Sequence, residues 1–308
     1  MNLQKLNEKF SFKNKTGYLQ IKEGKGGIPV IEIKNNQAAA KLSFQGGHLL
    51  SWIPQGEQEV IWLSDNARFE PGKSVRGGIP ICWPWFGAHK TSADYPAHGF
   101  ARTTGWQLVN ARQLAEDETE ITLSLNTENL NENIQQMWPY STLLEYVVTI
   151  GKTLKLALTT TNNSHKKITV SEALHTYFKV DNVTQSKVHG LDGISYLDKP
   201  DDFKRKQQQG LIEISEEVDR VYLNTEEDVV IENKNREISI KKQGSRSTVV
   251  WNPWKDVADK MGDLGEAGYL HMLCVESANA AENTIRLNPG ENHTLKVEMR
   301  VVAKRTGE

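Results

Sequence analysis

The chain has 308 residues, of which 38% are hydrophobic and 25% charged, and its formal net charge is −2. This composition permits a packed globular core. A charge so close to zero excludes a surface that attracts polyanions as a whole, so nucleic acid is not an expected partner. The two cysteines, Cys82 and Cys274, stand in apolar runs and are expected to be free, buried thiols of a reducing compartment.

The amino-terminal segment is polar and lacks the apolar region of a signal peptide. No uninterrupted apolar segment of the sequence is long enough to span a bilayer, so no membrane association is expected. We therefore expect a cytoplasmic protein with one domain over residues 1–308, of which residues 1–16 form a peripheral tail. The sequence shows no internal repeat, low-complexity segment or linker that would divide this domain.

Short strand-like segments follow one another along the chain. Apolar and polar residues alternate over residues 121–125, 154–158 and 295–301, which is typical of strands with one face in the core. Two hairpins are predicted, one with its turn at 151–153 and one at 233–235. Further strands are predicted at residues 28–33, 38–44, 46–52, 59–63, 170–180 and 269–279.

Helical signals are few. The best one lies at residues 252–261, where Asn252 suits the N-cap, Pro253 suits the first helical position and Gly262 suits the end. Many short strands with closely spaced turns, and so few helices, predict an all-β fold: a large antiparallel β-sandwich with few short helices.

The segment 74–87 combines an arginine, two glycines and a cluster of aromatic residues. Arg76 can hold a phosphate or carboxylate through paired hydrogen bonds. Trp83 and Trp85 offer flat apolar faces of the kind that pack against a sugar ring. A turn that leads into a core strand, with both tryptophans buried, is an equally good interpretation. Shortly afterwards, His98 and Arg102 add an imidazole and a second guanidinium.

Two further residues combine reactive chemistry with apolar surroundings. His175 stands in a strand-like run, where a lone histidine is more often a core residue than a catalytic one. Glu276 ends an apolar strand and shares its parity with Met272 and Cys274. A buried carboxylate costs several kcal/mol unless it is paired or bound. The alternatives are a strand end that turns into solvent and a salt bridge to an arginine.

Seven segments in order resemble the hexose-6-phosphate mutarotases (glucose-6-phosphate 1-epimerases) of the galactose mutarotase-like superfamily. They span residues 74–276, and their strand-like flanks extend the resemblance over most of the chain. The segments are residues 76–80, 82–87, 98–102, 172–175, 219–222, 250–254 and 274–276.

The resemblance implies a β-sandwich whose sugar site lies on one concave sheet face, and an enzyme that interconverts the α and β anomers of a hexose 6-phosphate. It implies Glu276 as general base and His175 as general acid. It also implies a set of substrate-binding residues with distinct tasks: phosphate for Arg76 and Arg102, the sugar for His98, sugar hydroxyls for Asp219, and pocket lining for Trp83 and Trp85.

These roles agree with the chemistry of ring opening. The proton of the C1 hydroxyl must leave while the ring oxygen gains one, and a carboxylate with an imidazole can perform both transfers. No metal or cofactor is needed, and the sequence carries no zinc-type Cys/His spacing or nucleotide-binding glycine loop. The expected partner is a small sugar phosphate, and the protein is expected to be a monomer.

Two alternatives remain open from the sequence. One is an aldose 1-epimerase that acts on a neutral hexose, in which Arg102 would bind a carboxylate or a strand end. The other is a carbohydrate-binding β-sandwich without catalysis, which would not need both His175 and Glu276.

Overall fold

The computed structural model describes residues 2–114 and 117–303. Its α-helices are α1 (Leu3–Phe10), α2 (Glu132–Met137) and α3 (Trp254–Met261). Its strands, in chain order, are β1 (Phe12–Lys13), β2 (Tyr18–Glu23), β3 (Pro29–Lys34), β4 (Ala38–Ser43), β5 (His48–Pro54), β6 (Ile81–Cys82), β7 (Gln107–Gln113), β8 (Thr119–Asn126), β9 (Thr142–Ile150), β10 (Thr153–Asn162), β11 (Ile168–Val170), β12 (Glu172–Leu174), β13 (Tyr177–Lys179), β14 (Lys187–His189), β15 (Ser195–Asp198), β16 (Lys204–Gln207), β17 (Ile212–Glu213), β18 (Val218–Leu223), β19 (Val229–Glu232), β20 (Arg236–Gln243), β21 (Ser247–Asn252), β22 (Met272–Asn279), β23 (Ile285–Leu287) and β24 (Asn292–Ala303).

The strands form three large sheets and one small one. The first sheet has the order β1-β2-β3-β4-β5, and the nine-stranded back sheet has the order β17-β14-β19-β20-β24-β10-β9-β8-β7. The eight-stranded site sheet has the order β16-β15-β18-β21-β22-β12-β6, with β13 also paired to β22. A two-stranded sheet joins β11 and β23. Neighbouring strands run antiparallel throughout these sheets, so the predicted all-β antiparallel architecture is confirmed.

The main hydrophobic core lies between the sheets. It contains Val148 and Leu156 of the back sheet, Leu273 and Val275 of the site sheet, and Leu42 of the first sheet, all at most 3% exposed. Because alternate residues of a strand point to opposite faces, each of these strands turns its other side chains away from this core. Burial of this apolar surface is the main force that holds the sheets together.

Most predicted elements are present. The hairpins β9–β10 and β19–β20 pair Ile150 with Leu154 and Val229 with Ile240. Helix α3 starts at Trp254, slightly later than predicted, and the Asn252 side chain accepts a hydrogen bond from the Trp254 N–H at 2.9 Å. None of the helices in residues 2–114 and 117–303 is long and apolar enough to cross a membrane.

Residues 2–16 of the predicted peripheral tail contain helix α1 and strand β1. Helix α1 packs on the first sheet, where the Asn7 side chain donates to the Ile21 carbonyl at 2.7 Å and accepts from the Ile21 N–H at 2.9 Å. Phe10 enters the main core. Strand β1 then pairs with β2. The segment is therefore an integral edge of the first sheet.

The prediction of a strand at residues 59–63 is wrong, because this segment forms only isolated bridges, at Ile61 and Leu63. The Glu59 carboxylate accepts hydrogen bonds from the N–H groups of Val60 and Ile61, both at 3.1 Å. The Glu59 side chain thus competes with backbone carbonyls for these donors, although the Val60 N–H also reaches the Trp52 carbonyl at 3.1 Å.

Candidate active site

Strand β22 places Glu276 on the face of the site sheet that points away from the main core. Leu273 and Val275 belong to the main core, whereas Met272 and Cys274 pack in a separate cluster on the opposite face. Glu276 shares the parity of Met272 and Cys274, so it belongs to that opposite face. Its side chain is nevertheless only 1% exposed. The Cys274 sulfur and a Glu276 carboxylate oxygen lie within 4.8 Å of each other, which agrees with the sequence prediction that these residues share a face.

His175 lies at the interruption between β12 and β13. There the chain leaves β22 and is held by the segment 78–80: the His175 N–H donates to the Pro80 carbonyl and the Tyr177 N–H to the Gly78 carbonyl, both at 3.0 Å. The break brings the His175 imidazole to the Glu276 carboxylate, with Nε2 3.3 Å from Oε1. The candidate acid and base therefore form a buried pair.

Burial determines the proton affinity of this pair. It is the main reason that the pKa of Glu276 lies well above its usual value, and the nearby Asp219 carboxylate raises that pKa further. Burial also lowers the pKa of His175 well below its usual value, and His98 and Arg102 act in the same direction. Both shifts favour the neutral groups, so the pair holds one proton over a wide pH range.

His98 and Arg102 enter the site from a tight turn. The His98 N–H donates to the Gly87 carbonyl at 2.7 Å, and Gly99 passes so close to Trp83 that a Cβ there would lie 1.9 Å from the Trp83 carbonyl oxygen. The His98 ring centroid is 5.7 Å from that of His175. Burial, assisted by Arg102, lowers the pKa of His98 to about 3, so this imidazole is neutral at physiological pH.

Arg102 is only partly engaged. Its NH2 donates to the Ala97 carbonyl at 2.7 Å, while its buried Nε has no partner among residues 2–114 and 117–303. The guanidinium lowers the pKa of His98, His175 and His48, which locates its positive charge near the site. Arg102 therefore retains donors for an anionic ligand.

Arg76 is already held by the protein. Its Nε donates to the Asp263 carboxylate and its NH1 to the Tyr177 hydroxyl, at 3.1 and 3.0 Å. Although burial opposes the charge, Tyr177 and Asp263 raise the pKa of Arg76. Its positive charge is thus fixed beside the site, with two of its donors used.

Asp219 lies two strands away from Glu276 on the same sheet. The register places it opposite Trp251, and Trp251 opposite Cys274, so all three share one row. Burial raises the pKa of Asp219, although Lys199, whose Nζ is 2.5 Å from Asp219 Oδ2, acts against this rise. Lys199 itself is 56% exposed, so it is free to move toward an incoming ligand.

The aromatic residues are arranged differently from the sequence prediction. Trp83 is completely buried and packs edge-on against Phe100 and Trp138 in the main core. This placement agrees with the core interpretation of Trp83 and departs from its predicted role in pocket lining. Trp85 is 8% exposed, stacks with Tyr95 and donates from Nε1 to the Pro96 carbonyl at 2.8 Å.

Other aromatic rings surround the acid/base pair. Tyr177 stacks on His175 with ring centroids 4.9 Å apart, and Trp251 meets both rings edge-on at 5.9 Å. Phe86 contacts His98 edge-on, with centroids 4.8 Å apart. Tyr177 and Trp251 lie in the segments 170–180 and 250–254, and neither of them is assigned a role from the sequence. The sequence signal that could indicate Tyr177 is strand parity, which it shares with His175.

Cys274 lies beside the pair. Its Sγ, a ring nitrogen of His175 and a carboxylate oxygen of Glu276 are all within 4.8 Å of one another, and all three residues are buried. In the described part of the chain this is the group of side chains best placed to hold a metal ion. Burial raises the pKa of the Cys274 thiol well above its usual value, so the sulfur carries its proton.

An antiparallel β-sandwich with a buried carboxylate–imidazole pair on one sheet face defines an acid/base enzyme class. The family model for aldose 1-epimerase matches residues 29–300. The chain belongs to this aldose 1-epimerase, or mutarotase, family.

Individual proteins that are similar to this chain support the family assignment. A protein of Escherichia coli K12 named "Putative glucose-6-phosphate 1-epimerase" is 38% identical over 258 residues, which cover 83% of this chain and 84% of that protein. A protein of Cenchrus ciliaris with the same name is 34% identical over 85% of this chain and 81% of its own length. The crystal structure of a "putative mutarotase (YeaD)" from Salmonella typhimurium has a TM-score of 0.85 and 31% identity, covering 98% of this chain and 99% of that one.

Proposed function

We propose that this enzyme interconverts the α and β anomers of a hexose 6-phosphate, with glucose 6-phosphate as the first candidate. The observation that carries the proposal is the buried pair of His175 and Glu276, 3.3 Å apart, on the face of the site sheet. The names of the relatives support the phosphorylated substrate.

In this proposal Glu276 is the general base and His175 the general acid. Glu276 removes the proton of the C1 hydroxyl while His175 gives its proton to the ring oxygen, and the C1–O5 bond breaks. The open aldehyde rotates about C1–C2. Closure on the other face returns both protons, so no net proton or electron is exchanged. The pair holds a single proton, and the reactive form is the one in which His175 carries that proton and Glu276 is ionised.

Other residues around the pair then position the sugar. Asp219 accepts hydrogen bonds from sugar hydroxyls, and the neutral His98 bonds to the sugar close to His175. Trp251, half-buried and in contact with the His175 ring, offers an apolar face to the sugar. Tyr177 holds the imidazole plane of His175 by stacking.

Phosphate recognition is assigned to Arg102 and Lys199, with Arg76 as a fixed source of positive potential. Arg102 keeps a buried donor without a partner among residues 2–114 and 117–303, and Lys199 can leave Asp219 for a dianion. Arg76 is held by Asp263 and Tyr177 and has fewer donors left.

The first test is NMR exchange spectroscopy on equilibrated glucose 6-phosphate. Exchange between the anomers should accelerate with the wild-type protein and fall by about 10²–10⁴-fold with Glu276→Gln. Glu282→Gln, which removes an exposed carboxylate, is the control and should behave as wild type. Retained sugar binding without any acceleration by the wild type would leave a carbohydrate-binding protein.

The second test separates phosphorylated from neutral substrates. Arg102→Ala and Lys199→Ala should each raise KM for glucose 6-phosphate by about tenfold or more, since a charge-assisted hydrogen bond contributes about 1.5–3 kcal/mol. Exchange of free glucose should change little. Lys204→Ala, which removes the exposed partner of Asp201 near Lys199, is the matched control. Equal losses on both sugars would favour the neutral-hexose alternative.

A further inference from the structure

The proposed reaction leaves the Cys274 thiol without a task. Cys274 is fully buried and lies in the row between Tyr177 and Trp251, on the same face as Glu276. Sulfur, imidazole nitrogen and carboxylate oxygen together make a donor set that zinc favours.

The three donor atoms already stand near the spacing of metal ligands. Bonds of about 2.0–2.3 Å to a tetrahedral ion set ligand atoms roughly 3.5 Å apart. His175 Nε2 and Glu276 Oε1 are separated by 3.3 Å, and the thiol lies within 4.8 Å of both donor groups. A side-chain movement on the order of 1 Å would therefore bring all three onto one ion.

Unpaired donor capacity is present at the same place. Glu276 Oε2 and His175 Nδ1 are buried, and neither has a hydrogen-bond partner within the described ranges 2–114 and 117–303. Buried polar atoms without partners are rare and costly, and an ion held by both carboxylate oxygens of Glu276 would give Oε2 a partner.

Charge also balances in the filled site. A divalent ion would displace the thiol proton and the one proton that His175 and Glu276 share, and both protons would leave to solvent. One thiolate and one carboxylate then neutralise the ion, while the imidazole stays neutral. A neutral cluster is compatible with the low dielectric of this site and with the positive charges of Arg76 and Arg102 nearby.

We propose that His175, Cys274 and Glu276 form a three-ligand site for a divalent transition metal of the zinc type, which captures the enzyme in an inhibited state. The metal occupies both members of the acid/base pair, so it excludes the reaction; this consequence rests on the proposed function, whereas the metal site itself does not. A zinc-type ion with three protein ligands would take water as its fourth ligand.

Cobalt spectroscopy tests the site without any activity measurement. Chelator-treated wild-type protein is titrated with Co²⁺ alone, and we expect one equivalent to produce a thiolate-to-cobalt absorption band that Zn²⁺ removes. Cys274→Ala should lose the band and bind Zn²⁺ at least tenfold more weakly, and Glu276→Gln should also weaken Zn²⁺ binding. Cys82→Ala is the matched control, because it removes the other buried cysteine and should retain the band.

Several outcomes would overturn the inference: no thiolate band in the wild type, loss of the band in Cys82→Ala, or wild-type zinc affinity in Cys274→Ala. If Cys274→Ala fails to fold, X-ray absorption of the zinc-loaded wild type decides, because one sulfur at about 2.3 Å is expected and a sulfur-free shell would contradict it.

Anomer exchange separates this inference from the proposed function. Zn²⁺ should inhibit exchange competitively with hexose 6-phosphate. A cobalt band in a protein without exchange activity would support the metal site and refute the proposed function. Activity without a band would do the reverse.

Discussion

The proton shared by His175 and Glu276 is the residue-scale feature on which the proposed chemistry depends. Each group alone would be a poor catalyst at neutral pH, since burial keeps the carboxyl protonated and the imidazole neutral. As a pair they titrate together, and the macroscopic pKa values belong to both. Burial thus widens the pH range over which the pair holds one proton.

This coupling predicts a broad pH profile for kcat/KM. Below the lowered pKa the pair gains a second proton and loses its base, and above the raised pKa it loses its only proton and its acid. The acid limb should therefore lie below pH 6.5 and the alkaline limb well above pH 4.5. Anomer exchange of free glucose gives the profile without the ionisation of a phosphate, which lies near pH 6. An acid limb at or above pH 6.5 would contradict the assignment.

The sequence predicted which side chains lie in the site, but it did not predict the ion pairs that hold them. Strand parity alone put Glu276 beside Cys274, because consecutive residues alternate between faces. It could not show that Arg76 is held by Asp263, 187 residues later, or that Lys199 faces Asp219. Such contacts follow from strand order and register, which local periodicity does not contain.

At the scale of elements, the glycine pair after Arg76 determines how closely the segment 76–80 can approach its neighbours. Gly78 has φ +74°, and a Cβ there would lie 2.2 Å from His48 Nε2 and 2.6 Å from the Leu49 carbonyl oxygen. Its N–H donates to the Trp62 carbonyl at 2.8 Å. The same segment then supports the Tyr177 and His175 backbone, so a displaced glycine would displace the acid/base pair.

Gly78→Ala should therefore destabilise the protein more than a glycine substitution in open space. Gly72 is the matched control, because its φ of +77° is similar but a Cβ there would meet nothing within 4 Å. Both substitutions carry the cost of a left-handed backbone, about 1–2 kcal/mol. Only Gly78→Ala adds overpacking, a further 1–3 kcal/mol or so. Urea unfolding measures the free energy of unfolding of both variants. Equal losses of stability would show that the structure relaxes around the added Cβ at Gly78.

Elements with local signals were predictable, and elements defined by distant partners were not. Helix α3 carries its own Asn252 and Gly262 end signals. Helix α1 has a local signal in Leu3, Leu6 and Phe10, which recur at helical spacing, but local sequence does not show that Asn7 bonds to the backbone of Ile21 and so fixes the helix on the first sheet. The segment 59–63 has strand-like composition, but the Glu59 carboxylate competes for its N–H groups.

On the scale of the whole molecule, several buried groups bind protons differently in the folded and unfolded chain. Burial, together with Arg102, lowers the pKa of His48 to about 4, whereas burial raises the pKa of Glu172 to about 8. As the pH falls below 6.5, the unfolded chain gains a proton at His48 that the folded protein does not accept, so stability is lost. Glu172 acts in the opposite direction, because its carboxyl is protonated in the folded protein at pH values where the unfolded chain is ionised.

His48→Gln isolates one of these contributions. Between pH 7 and pH 5 the wild type should lose about 2 kcal/mol more stability than the variant, from the difference between pKa values of 6.5 and about 4. Urea unfolding of both proteins at both pH values gives the stability change of the wild type minus that of the variant. The contributions of carboxyl groups cancel in this difference, because both proteins contain the same carboxyl groups. His165→Gln, at an exposed histidine, is the control and should follow the wild type. An unchanged pH dependence in His48→Gln would show that His48 is protonated in the folded state.

The overall architecture was within reach of the sequence, because alternating segments without long helices permit few arrangements besides antiparallel sheets. The pairing of β24 between β10 and β20 was not, since it joins the last strand to the middle of the back sheet. Long-range pairing of this kind depends on which apolar faces fit together in the core, and composition does not encode that fit.

The two faces of β22 also restrict how the chain can change in length. Val275 fills the core and Glu276 serves the opposite face. A deletion of one residue before this point would exchange them, placing a carboxylate among apolar side chains and a valine in the site. An insertion or deletion outside β22, for example in the turn at Ala281–Asn283 that follows it, leaves both faces of the strand in place. The strand can diverge in sequence, but hardly in length.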